Sequence, residues 1–214
     1  MLVSAALSGS VTPWILSSTY HSGPDLTDPA VRAQIIKEVE ATGGEPFAGW
    51  LGRTWELGDP PNYEPDPVDS IARRAERDGV SPWELLYDIM LAGPVYVTFF
   101  NYFNGDLGPV REMLEHEHTH VSLSDGGAHV ATVCDGSFPT TFLTLWGRDR
   151  TRGPKFELPW LIHQHSRVTA QLVGLNDRGL LAPGYKADVN VIDFEHLNAR
   201  RPTWSTTFRP AGLA

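Results

Sequence analysis

The segment richest in possible chemistry is residues 121–129, VSLSDGGAH. It reads as a short strand over 121–124 that delivers Asp125 at its C-terminal end, with Gly126 and Gly127 directly behind. Two glycines after it permit a tight turn and the close approach of a ligand. In a parallel α/β barrel this is the end of the strand where catalytic groups gather. The plainer reading is that Asp125 caps its own turn. His129 lies in the loop just beyond, suited equally to contacting a substrate and to making an ordinary loop hydrogen bond.

Other groups compete for attention. Residues 115–120, EHEHTH, contain overlapping His-x-His pairs, His116 with His118 and His118 with His120. On a strand such pairs share a face and can hold one metal. These residues precede the 121–124 strand, however, so they fall at its N-terminal end, away from a catalytic rim. They read better as a solvated helix end, where cations are favoured. His163 and His165 sit two apart within a helix and point apart, as structural or surface groups. Arg148, Arg150 and Arg152 (GRDRTR) fall in a long Gly/Pro-rich loop. One of them, Arg148 first, could grip a substrate carboxylate with its two-pronged guanidinium. The favoured alternative is a surface loop salt-bridged through Asp149. Cys134 reads as a lone buried thiol.

The elements that must position these groups are well punctuated. Asp28-Pro29 opens a helix that carries Val31, Ile35, Ile36 and Val39 and stops at Gly43-Gly44. Asp66-Pro67 opens a second, which ends at Asp78-Gly79. Ser81-Pro82 opens a third, with Glu84 placed to complete a capping box and Gly93-Pro94 closing it. Residues 95–102 (VYVTFFNY) read as a buried strand. Asn101, Asn104 and Asp106 flank its end, although NGD is also a good turn sequence. A short helix over 107–116, the 121–124 strand, a long loop and a helix over 157–173 complete a βαβα order. That order predicts an α/β fold with a parallel sheet. Residues 188–193 (DVNVID) read as a strand of a separate small β element.

The chain has 214 residues and a formal net charge of -9. Such an acidic balance argues against a nucleic-acid binder, which needs a basic surface. No run of about 18 apolar residues is available to span a membrane. One cysteine leaves no intramolecular disulfide, which fits a cytoplasmic protein.

The stretch 177–194, DRGLLAPGYKADVNVIDF, makes the reading more specific. With SLSDGGAH, NYFNGDLGPV, SFPTT and LWGRDRTRGP, it resembles the amidohydrolase superfamily, in its N-acyl-D-amino-acid deacylase branch. The resemblance spans roughly residues 13–202. It implies part of a TIM-type (β/α) barrel over residues 1–176, and over 177–214 the start of a composite β-sandwich. It implies zinc as cofactor and a small N-acyl amino acid as substrate. Residues 95–102 and 121–125 become the seventh and eighth barrel strands. Asp125 becomes the catalytic carboxylate beside the metal, with Asn101, His129 and Arg148 as candidate substrate contacts. The family's first-strand His-x-His is not found before Asp125; only His21 lies in the first 115 residues. About 250 residues make such a barrel, so the chain reads as an incomplete portion that is inactive alone. The alternatives are a cyclic-amide hydrolase of the dihydroorotase or hydantoinase kind, and a non-catalytic remnant that depends on a partner.

Overall fold

A computed structural model describes residues 2–3, 25–44, 48–98, 105–121 and 136–201. The fold is mixed α/β and rich in helix. Its sheet has three short strands, β1 (Leu2–Val3), β2 (Thr54–Glu56) and β3 (Val95–Val97), in the order β1-β3-β2. Both pairings are antiparallel, with Tyr96 opposite Leu2 on one side and Trp55 on the other. The parallel sheet expected from the βαβα order is therefore not what the described residues form. The partner of β3 comes from the Trp-containing stretch upstream, and two helices, α2 (Ile71–Asp78) and α3 (Pro82–Ala92), lie between β2 and β3. Two packed helices in succession return the chain so that the second strand runs against the first.

The first helix, α1 (Pro29–Ala41), begins as its sequence dictates. Asp28 stays extended and its carboxylate accepts the Ala30 N–H at 2.8 Å, with proline in the first turn. The second start differs. Asp66 caps only a single 3₁₀ turn, Pro67–Asp69, and α2 begins afresh with Ser70 as its own cap. Gly79, at φ 67°, closes α2 in the left-handed conformation. At α3 the capping box does not form. The Ser81 hydroxyl donates to Glu40 at 2.9 Å, and Glu84 pairs with Arg32, which also forks onto Asp88. Links between α1 and α3 have displaced a local one.

The strands separate two apolar groups. Val95 and Val97 pack with Ile35, Ile36, Ile71 and Trp83 of the helical layer. Tyr96, on the opposite face, meets Trp55 and Leu57. The helical layer approaches the chain closely at Gly44. Its φ is +71°, and a Cβ there would stand 1.9 Å from Trp83 Cζ2. Gly44→Ala is expected to destabilise the fold by about 2–4 kcal/mol, from the strained backbone plus the displaced indole, as read by urea denaturation. A loss below about 0.5 kcal/mol would show that Trp83 is not held there.

The remaining helices form a second core. They are α4 (Gly108–Glu115), α5 (Phe138–Thr144), α6 (Leu158–His163) and α7 (Thr169–Leu172). α5 runs on through a π-helical turn, Leu145–Asp149, and α6 joins α7 through another, Gln164–Val168. Part of the expected long loop is thus helical. Pro139 in the first turn and the i, i+4 spacing of Phe138, Phe142 and Trp146 are the signals that make it so. Phe142, Leu143, Trp146, Phe156, Leu161 and Val121 are buried together. Residues 188–193 form no strand. Val189 and Val191 are exposed, Val191 almost fully at 98%. A strand exists only with a hydrogen-bonded neighbour, and none of the described residues supplies one. No helix among the described residues is long and apolar enough to cross a membrane.

Candidate functional site

Asp125, His129 and Asn101 lie outside the described residues, as do Asn104, Cys134 and His21. The structure describes the surroundings that lead to them. β3 brings the chain to Thr98, whose N–H donates to the Arg53 carbonyl at 3.0 Å. Val121, directly before the SLSDGG stretch, is buried in the second core.

The arginines of GRDRTR are placed in detail. Arg148 stands on the π-helical turn and donates to the carbonyls of Phe194, Glu195 and Leu197, and to Asn198 Oδ1 at 3.1 Å. Asp149 accepts from the same guanidinium, and that hydrogen bond raises the Arg148 pKa above its ordinary value. Arg148 thus braces residues 194–198 against the second core.

Arg150 is buried, 2% exposed, and forks onto Glu64, 3% exposed, at 2.9 and 3.0 Å. Its third bond goes to the Pro154 carbonyl, and its guanidinium lies 4.9 Å from the Trp146 ring centre. Glu64 also accepts the Leu107 N–H at 2.8 Å. Arg152 reaches the carbonyls of Pro65 and Gly105. The surface salt bridge expected through Asp149 is real for Arg148, but Arg150 and Arg152 clamp two distant segments instead, 64–65 and the stretch at Gly105. Glu64 was not legible as a partner: an acidic residue in a Pro-rich stretch (NYEPDP) carries no local signal of an arginine 86 positions away.

The histidines fall in two places. His116 and His118 follow α4 in a turn closed by the Thr119 N–H to the His116 carbonyl. Their rings meet edge to face at 5.4 Å, and His116 Nδ1 accepts the His118 N–H. The expected solvated helix end is what forms. His163 and His165 both line an apolar groove of about 890 Å³ between α5, α6 and residues 179–197. The groove is walled by Leu143, Leu158 and Ile192. His163 ends α6 and His165 stands in the π-helical turn Gln164–Val168, so the two share one groove where a regular helix would have pointed them apart. His165 packs beside Phe138 and Phe142, and burial there pulls its pKa below the ordinary histidine value.

A hydrolytic zinc needs three or four His, Cys, Asp or Glu ligands converging on one point. Among the described residues no group of three such side chains could hold a metal ion. Asp125, which the resemblance sets beside the metal, lies outside the described residues.

The model of the amidohydrolase family (Amidohydro_3) matches residues 25–207. The chain belongs to the amidohydrolase family, and so to the hydrolases of that superfamily. Members of this family commonly use metal ions. No curated protein and no solved structure matches the chain.

Proposed function

We propose that this chain serves the hydrolysis of a linear amide, with an N-acyl-D-amino acid as the substrate class and Asp125 as the proton-handling group. The observation that carries this reading is the pairing of SLSDGGAH with the GLLAPGYKAD stretch, in a chain that the amidohydrolase model covers over residues 25–207. Asp125 takes a proton from the water whose oxygen attacks the amide carbon. It returns that proton to the nitrogen as the C–N bond breaks, releasing a carboxylic acid and the free amino acid. Asn101 and His129 are the proposed substrate contacts. Arg148 joins them only by exchanging its bonds to residues 194–198 for a substrate carboxylate. The barrel over residues 1–176, the β element over 177–214 and zinc as the metal belong to the same proposal. The described residues contain no ligand group for the metal.

A panel of N-acetyl-D-amino acids, their L enantiomers and ring-closed ureides, assayed with the full-length protein, tests the reading. Release of amino acid from the D series is the expected result. Exclusive turnover of the ureides would move the assignment to a cyclic-amide hydrolase.

A further inference from the structure

The apolar groove between α5, α6 and residues 179–197, about 890 Å³, has a braced outer wall. Arg167 donates to the carbonyls of Asn176 and Arg178 and to the Tyr185 hydroxyl, and Arg148 grips residues 194–198. Gly179, at φ +76°, lets that wall touch the helices, since a Cβ there would stand 2.7 Å from Arg167 Cα. Fixed at these points, the wall does not fold down onto α5 and α6. Ile162, Leu180, Leu181, Val189 and Ile192 line the groove and stay exposed, Leu181 at 74%. Apolar side chains gathered in one concave, pre-formed place mark a binding site, and the volume is that of a site for a small molecule.

The polar groups select the class of ligand. Among the described residues of the wall Asp188 is the only acid, and Lys186 pairs with it at 3.1 Å. Both partners are more than half exposed, so the pair is weak and the ammonium can turn to a second anion. His163 and His165 add donors and no acid, and neither ring hydrogen-bonds another residue. Burial keeps His165 uncharged near neutral pH, with one ring N–H to give. Three groups that donate, against one carboxylate, suit an anionic head, and the leucine and valine wall suits an aliphatic chain. We infer that this groove binds an aliphatic carboxylate, with its head among Lys186, His163 and His165. The site does not depend on the amide-hydrolase reading above.

Titration calorimetry of the full-length protein with dodecanoate, octanoate and dodecyltrimethylammonium tests it. Dodecanoate is expected to bind with a Kd of about 10–100 µM. Octanoate is expected to bind at least about tenfold more weakly, because each buried methylene is worth about fourfold. The cationic amphiphile is expected to bind at least about tenfold more weakly too, although a chain of net charge -9 would attract it elsewhere. Leu180→Asp with Val189→Asp changes two exposed side chains and is expected to weaken dodecanoate more than about tenfold with little change in Tm. Lys186→Gln is expected to weaken it about threefold or more, and decides the matter if the double variant fails to fold. Dodecanoate affinity unchanged in Lys186→Gln, or in a folded double variant, would place the ligand elsewhere and overturn the inference. Equal affinity for the cation would overturn it as well. So would no binding at millimolar dodecanoate, whether the groove is empty or covered by a second copy seen in sedimentation.

Discussion

Asp125→Asn is expected to lower amide turnover by a factor of about 10²–10⁴, the usual contribution of a positioned acid–base group. The substitution keeps the size of the side chain and its capacity to accept a hydrogen bond, so a turn-capping role would survive it largely intact. Proton transfer would not, because a carboxamide cannot take the proton of the attacking water at neutral pH. The contrast separates the two readings of VSLSDGGAH. A fall in kcat with an unchanged melting temperature is the predicted pattern. Unchanged kcat with a lowered melting temperature would assign Asp125 to its turn. Steady-state kinetics and a thermal melt on the same preparation read both.

The second large effect concerns stability. Arg150→Met is expected to destabilise the protein by about 3–5 kcal/mol, because it leaves the Glu64 carboxylate buried without its counter-charge. Glu64→Gln should cost a comparable amount. It strands a guanidinium that is 1% exposed and weakens the acceptor of the Leu107 N–H. Replacing both together, as Glu64→Leu with Arg150→Met, is expected to cost well under the sum, since no lone charge remains. Urea denaturation of the three variants gives the coupling directly. Single losses within about 0.5 kcal/mol of zero would show that the pair is not buried in solution. The exposed pairs make the opposite prediction. Arg73 and Glu76 are 66% and 70% exposed, and pairs of that kind contribute only tenths of a kcal/mol.

Local signals in the sequence were reliable where one turn of chain decides the outcome. Asp28-Pro29 caps α1, Gly79 ends α2, and 107–116 and 157–173 are helical within a residue or two of expectation. The failures came where distant partners compete. Ser81 and Glu84 lost their capping box to Glu40 and Arg32, 41 and 52 positions away. The direction of the sheet depended on which segment pairs with β3, and the segment that does, Thr54–Glu56, is too short to show a strand period. Residues 188–193 have the composition of a strand, yet composition does not supply a neighbour to bond with. Of the candidate site, Asp125, His129 and Asn101 were read from the sequence and stand outside the described residues. Arg148, a candidate substrate contact with a surface salt bridge to Asp149 as its alternative reading, does engage Asp149, but its main work is to hold the carbonyls of 194–197 and the Asn198 side chain.

The account depends most on where the Asp125 carboxyl points. A crystal structure of the full-length protein with a non-hydrolysable N-acyl-D-amino-acid analogue measures this directly. The account predicts the carboxyl within hydrogen-bonding distance of a water that faces the analogue's amide carbon. A carboxyl folded back onto the amides of Gly126 and Gly127, with the analogue bound elsewhere, would contradict it.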